Sequence, residues 1–195
     1  LTVFLGYILL PLILSIPFYF SIYNLTFLDS FFESISGFTS TGFTIFPNIK
    51  NIDQGLILWR SSTQWLGGLY FLFSIVFLID IYDENFKKTL TNFISFNSSE
   101  ILKQVTKIFF LYSALTLFIF IILNLFSIRT FDSLNLAFSI ISSGGFLPVN
   151  DLSNIIKDSS QIVVLSFLML LSFFSIFFTY NLIFFRKKNI NFFYL

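Results

Sequence analysis

Four long apolar runs, at 1–23, 56–79, 108–128 and 162–185, leave this chain few ways to fold. Each holds about 20 residues, the number a helix needs to cross a hydrocarbon core. Charged residues make up 11% of the chain and hydrophobic ones 56%. A soluble domain carries about 25% charge, so lipid is the expected solvent for these surfaces. The 32 Phe residues fit the same reading, because lipid-facing positions accept Phe as readily as Leu. Pro11 and Pro17 fall inside the first run and predict kinks in it without preventing a span.

Cysteine and histidine are both absent. That excludes disulfides, thiolate or imidazole metal sites, and nucleophiles activated by histidine. The basic residues are scattered and do not form a phosphate-binding stripe, so nucleic acid is not an expected partner. No enzyme is indicated, because the apolar runs contain almost no ionisable pairs.

Two shorter segments lie between the runs, at 29–36 and 132–141, too short to span. Both carry helix-start chemistry: Ser30-Phe31-Phe32-Glu33 fits a capping box, and Thr130 with Asp132 places a cap and a negative charge in a first turn. Both end in small polar residues with glycine. A half-helix that hands over to such a stretch is a re-entrant loop, tolerated at membrane depth only where protein buries it or water lines it. The order of span, short helix, Gly-rich turn and span occurs twice. A shift of 102 residues aligns Gly42 with Gly144, residues 5–20 with 107–122, and 66–79 with 168–181. The expected fold is therefore an all-α membrane protein of two tandem helix–pore loop–helix repeats. It would have four transmembrane helices and two re-entrant pore helices, with repeats at 1–88 and 89–188.

The two turns carry the chemistry. The first reads Ser36-Gly37-Phe38-Thr39-Ser40-Thr41-Gly42-Phe43-Thr44, and the second Ser139-Ile140-Ile141-Ser142-Ser143-Gly144-Gly145-Phe146. A cation entering a membrane needs oxygens to replace its water, and rings of backbone carbonyls supply them in potassium filters. Glycine permits the dihedrals that aim successive carbonyls at one axis. The C-terminal end of each short helix adds a partial negative charge facing the same place. A blander reading is that such clusters are outer loops or small-residue helix contacts. Arg60, near the outer edge of a span, is costly unless paired, with Glu33, Asp53 or loop carbonyls as candidate partners. Its expected role is structural or in tuning the outer pore. Gln64, one turn on, more often bonds nearby backbone than an ion. Asp80, Asp83 and Glu84 read as a solvated helix end, or an acidic ring.

The stretch Asp29-Ser30-Phe31-Phe32-Glu33-Ser34-Ile35-Ser36-Gly37-Phe38-Thr39-Ser40-Thr41-Gly42 resembles the first pore loop of the Trk/Ktr/HKT potassium and sodium transporters. Trp59-Arg60-Ser61 with Gln64-Trp65-Leu66-Gly67-Gly68 resembles the start of that family's next helix. Phe131-Asp132-Ser133, Ala137-Phe138-Ser139 and Ser142-Ser143-Gly144-Gly145-Phe146 are similar to its second repeat. The resemblance covers nearly the whole chain. It implies a potassium-uptake subunit with four such repeats around one pore. Repeats three and four would lie beyond this sequence, with 189–195 as the lead-in to the third. It further implies a homodimer in the lipid bilayer and a cytoplasmic nucleotide-binding regulatory subunit. By the same resemblance Thr39, Ser40, Thr41 and Gly42 line one quadrant of a potassium filter, and Ile141, Ser142, Ser143 and Gly144 the next. K+ would be the transported ion, with no cofactor. Glycine at Gly42 and Gly144 marks potassium preference in the family, and Ser143 departs from its usual Thr.

Leu1 already lies inside an apolar run, and the chain reads as a fragment of a longer protein. Positive charge is biased to one side: Lys87, Lys88, Lys103, Lys107, Arg186, Lys187 and Lys188 against Lys50, Arg60, Arg129 and Lys157. The positive-inside rule then places both turns facing outward from an inner cell membrane. Three other readings stay open here: a sodium-conducting member of the same family, a two-pore-loop channel acting as a homodimer, and a membrane anchor.

Overall fold

The computed structural model describes residues 2–82 and 98–188. Asp83, Glu84, Lys87, Lys88 and the stretch 189–195 lie outside the described residues. The regular structure among the described residues is helical throughout.

The first apolar run forms α1 (Thr2–Leu14) and α2 (Ile16–Ser21), interrupted at Ser15. Pro17 has no N–H to give to the preceding turn, which explains the interruption. Ser15 bridges it: its Oγ donates to the Leu12 carbonyl at 2.7 Å. Backbone bonds from Ser15 to Pro11 and from Tyr19 to Ser15 carry the helical path onward.

The first short helix, α3, spans Phe27–Phe38, beginning two residues before the expected start. Its cap is Thr26, whose Oγ1 accepts the Asp29 N–H at 3.1 Å. The expected box of Ser30 and Glu33 does not form, because both residues already lie inside the helix. Ser30 instead donates to the Thr26 carbonyl, and Glu33 is left free to act elsewhere. The second short helix, α6 (Thr130–Ile141), is preceded by Arg129 rather than by a capping Thr. Thr130 is its first helical residue, and Arg129 grips Asp132 through two hydrogen bonds of 2.9 and 3.0 Å.

Three long helices complete the chain: α4 (Gln54–Tyr82), α5 (Ser98–Leu125) and α7 (Ser159–Lys188). Among the described residues two stretches are long and apolar enough to cross a membrane, Val3–Ser21 and Val105–Leu125. The part of α7 whose side chains are described, Ser159–Phe173, is a shorter, predominantly apolar stretch. In α4 the apolar run is broken by Arg60, Ser61, Thr63 and Gln64, and all four are buried.

That burial inverts the pattern of a soluble protein. Phe4, Phe20, Phe110 and Leu170 stand exposed, while Glu33, Arg60, Gln64 and Asn135 sit inside. Such an arrangement is stable where the outside is apolar, because buried polar groups then find their partners in one another. Ser61 donates to Asn135 at 2.6 Å across α4 and α6. Trp65 donates to Thr116 at 3.0 Å, tying α4 to α5.

α4 is the axle of the fold, packing against both short helices. Gly67 and Gly68 make this possible. A Cβ on Gly67 would collide with the Phe38 carbonyl at the end of α3, and one on Gly68 would come within 3.0 Å of the Ser142 Cβ at the end of α6. The two short helices therefore end against one pair of glycines, which no single helix could show by its own pattern.

The short helices and the turns after them recur at a spacing of 103 residues, not 102. Phe27–Phe38 corresponds to Thr130–Ile141, and the short 3-10 turn at Ile49–Asn51 to that at Leu152–Asn154. Left-handed backbone recurs at Asn24 and Ser127, Ser40 and Ser143, and Gly42 and Gly145. Adjacent glycines at 144 and 145 made the sequence register ambiguous by one; backbone conformation resolves it, since Gly144 lacks the positive φ.

Replacing Gly67 by Ala should lower thermal stability of the purified protein in detergent by about 1–3 kcal/mol, the usual cost of overpacking. Gly55→Ala, facing only the flexible Asp53 carboxylate, should leave the melting curve nearly unchanged.

Candidate functional site

The C-terminal ends of α3 and α6 converge, and the two turns that follow them touch. A Cβ on Gly42 would lie 2.7 Å from the Gly144 carbonyl oxygen and 3.5 Å from the Gly145 Cα. Gly42 has φ +78°, so glycine is required there both by conformation and by the approach of the second turn.

Both turns are wound so that their N–H groups point back into their own helix. Thr41 and Gly42 donate to the Ser36 carbonyl at 3.0 and 3.3 Å, and Ser40 to that of Gly37. In the second turn Gly144 donates to the Ser139 carbonyl at 2.8 Å, Ser143 to that of Ile140, and Gly145 to the Ser139 hydroxyl. Among the described residues, no hydrogen bond reaches the carbonyls of Ser40, Thr41, Gly42, Ser143 or Gly144. Oxygens left unpaired beside two helix C-termini favour a cation over an anion. Hydroxyls add to them, with Thr39 and Thr41 sharing a 2.7 Å hydrogen bond at the mouth of the first turn. Ile141 stands apart: it is the last residue of α6, and its side chain is buried in the apolar core with Leu136 and Ile140.

Arg60 stands behind both turns, and Gln64, one turn on, lies against the second at Gly144 and Phe146. Arg60 Nε donates to Glu33 Oε1 at 2.7 Å, and both side chains are shielded almost completely. The same carboxylate accepts from the Thr44 hydroxyl at 2.9 Å and the Ile45 N–H at 3.0 Å, fixing the chain that leaves the first turn. Arg60 Nη1 donates to the Leu147 carbonyl at 3.3 Å, fixing the chain that leaves the second. Its guanidinium also lies 4.1 Å from the centre of the Phe146 ring. Of the partners expected for Arg60, Glu33 and a loop carbonyl are found. Asp53 instead holds the Gly55 N–H at the start of α4. Asn150 completes the tie between units, accepting from Ile49 at 3.0 Å and donating to the Pro47 carbonyl at 2.9 Å.

Sequence reasoning quoted Gly67, Gly68, Thr44 and Phe146 within its motifs but gave them no role; the structure places the glycines under the helix ends and Thr44 and Phe146 against the Glu33–Arg60 pair. A signal for the correct register was present in the pairs Asp29-Ser30 and Asp132-Ser133, Ser36 and Ser139, and Phe43 and Phe146, each 103 residues apart. Among the described residues no group of three or more acidic, histidine or cysteine side chains is placed to hold a metal ion.

No protein-family model matches the chain. A cation transporter of Methanocaldococcus jannaschii is 27% identical over 175 residues, covering 85% of this chain and 35% of that protein. The Trk system potassium uptake protein TrkH of Salmonella typhimurium is 28% identical over 139 residues, 68% of this chain and 29% of its own length. TrkI of Halomonas elongata reaches 43% identity over 60 residues, 31% of this chain. Over these stretches the chain is similar in sequence to Trk potassium uptake proteins. The crystal structure of the potassium transporter TrkH from Vibrio parahaemolyticus shares the fold, with a TM-score of 0.64 at 22% identity over 76% of this chain. That match takes in 30% of the Vibrio TrkH chain, and this chain spans about a third of the length of the curated relatives that match most of it.

Removing one member of the buried pair, as in Arg60→Met or Glu33→Gln, should destabilise the protein by about 3–5 kcal/mol. The double variant should lose less than the two single losses combined, because neither charge is then left buried alone. Melting curves of the four proteins of this cycle test the coupling, and simple additivity would refute it.

Proposed function

We propose that this chain supplies two adjacent pore-lining units of a membrane subunit that takes up potassium. The observation that carries the reading is the contact of two turns whose unpaired carbonyls lie at the ends of two half-helices, at Gly42 and Gly144. In this reading 1–88 and 89–188 are helix–pore loop–helix repeats, and 189–195 opens a third. Thr39, Ser40, Thr41 and Gly42 form one quadrant of the filter. The register of 103 residues makes Ser142, Ser143, Gly144 and Gly145 its counterpart, which moves the second quadrant one residue on from Ile141.

Ions pass by exchanging water for these oxygens, so selection rests on how the carbonyls are held rather than on any reacting side chain. The partial charges of α3 and α6 supply attraction without a fixed anion that would trap the ion. Relatives about three times as long support further repeats beyond this chain. The turns face outward from the cell membrane, and the complete subunit works as a homodimer with a cytoplasmic nucleotide-binding regulator.

The full-length protein containing this chain, reconstituted in liposomes with its regulator, should admit rubidium in preference to sodium. Gly42→Ser, which adds a side chain where φ is positive and the Gly144 carbonyl is close, should abolish that preference. A folded preparation that admits neither ion would sink the proposal.

A further inference from the structure

Gln64 is fully buried on α4, one turn beyond Arg60. Its Oε1 accepts the Phe146 N–H at 3.3 Å, which fixes the orientation of the amide. Its Nε2 is the one buried side-chain polar atom among the described residues without a hydrogen-bond partner. An unpartnered buried donor is costly and calls for a reason.

The reason lies in Gly144. A Cβ built on Gly144 would fall directly onto the Gln64 carboxamide. Gly144 lacks the positive φ of Gly42 and Gly145, so its glycine is demanded by Gln64 and not by conformation. The counterpart of Gly144 in the first turn is Thr41, whose own hydroxyl bonds Thr39. The second turn has no side chain at that position, and the amide of Gln64 fills the space. On α7 the corresponding positions are apolar whether taken at the register of the turns (Phe167) or of the long-helix starts (Met169), and both side chains are exposed.

We propose that Gln64 is a positioning residue for the second turn, its amide standing in from the first unit for the side chain that Gly144 lacks. Its carbonyl oxygen anchors the Phe146 N–H, and its Nε2 faces the backbone of the turn as the donor available to it. Cation selection by the second turn then depends on a helix of the unit before it. This rests on the conduction reading above.

The test uses the full-length protein in liposomes, measuring the ratio of rubidium to sodium influx beside the amount of folded protein by size exclusion. Gln64→Met keeps the length and removes both hydrogen-bonding groups. It should lower the ratio about two- to tenfold, the factor that one net hydrogen bond is worth, in protein that still folds. Gly144→Ala should lose selectivity, and Gly144→Ala combined with Gln64→Ala should regain part of it by vacating the space. A purely structural role would reduce the yield of folded protein and leave the ratio untouched. An unchanged ratio in Gln64→Met overturns the inference. Should that variant fail to fold, the inference is overturned if Gly144→Ala is equally unselective with and without Gln64→Ala. A wild-type protein that conducts no alkali cation would overturn the conduction reading and this inference together. A selective wild type with indifferent variants overturns this inference alone.

Discussion

The rest of the structure depends on an ion pair that water does not reach. Glu33 and Arg60 lie 2.7 Å apart with both side chains shielded. Two charges removed from water are tolerated only with close geometry and with their remaining hydrogen-bonding capacity used. Here the carboxylate also accepts from Thr44 and Ile45, and the guanidinium also donates to Thr44 and Leu147. Each of these additional contacts belongs to a chain leaving one of the two turns. The groups that satisfy the pair are therefore the same groups that locate the turns. A loosened turn would leave a buried charge short of partners, and that penalty holds the turn in place.

The pair also explains how two similar units become one body. Their backbones repeat at 103 residues through the short helices, the turns and the 3-10 turns beyond them. Their side-chain support does not repeat. Glu33 corresponds to Leu136, which is packed in the apolar core. The long helices begin at Gln54 and Ser159, two residues further out of step. At either register α7 offers apolar residues, Val163 or Leu165, where α4 offers Arg60. Phe146 is buried against Arg60, while its counterpart Phe43 stands exposed. A repeated backbone thus carries a polar clamp at the junction between the units.

Much of the fold was legible because the solvent is apolar. Long runs with few charges place the long helices, two of which are apolar enough over the described residues to cross a membrane, and Pro17 marks the interruption of the first. The two short helices were legible as segments too short to span, with start signals at one end and small polar residues with glycine at the other, although both begin two residues before the expected start. The start at Thr26 was obscured because Ser30 and Glu33 imitate a capping box, while the real partner of Glu33 is Arg60, in another helix. Asp53 was a plausible partner for Arg60 by proximity in sequence, but it is taken up by the first turn of α4. Local chemistry decided both outcomes once the helix starts were set.

The sequence by itself determined the helices, their apolar exteriors and the two Gly-rich turns, because those depend on local composition and on periods of a few residues. Only the tertiary structure decided that the turns meet at Gly42 and Gly144, that α4 receives both half-helices at Gly67 and Gly68, and that Gly144 is small on account of Gln64. Gln64 and Phe146 are 82 residues apart, and Arg60 and Leu147 are 87. Contacts at such separation leave no periodic trace in a single chain; they arise from steric fit and from buried polar groups that must find partners, conditions fulfilled only once the helices have packed.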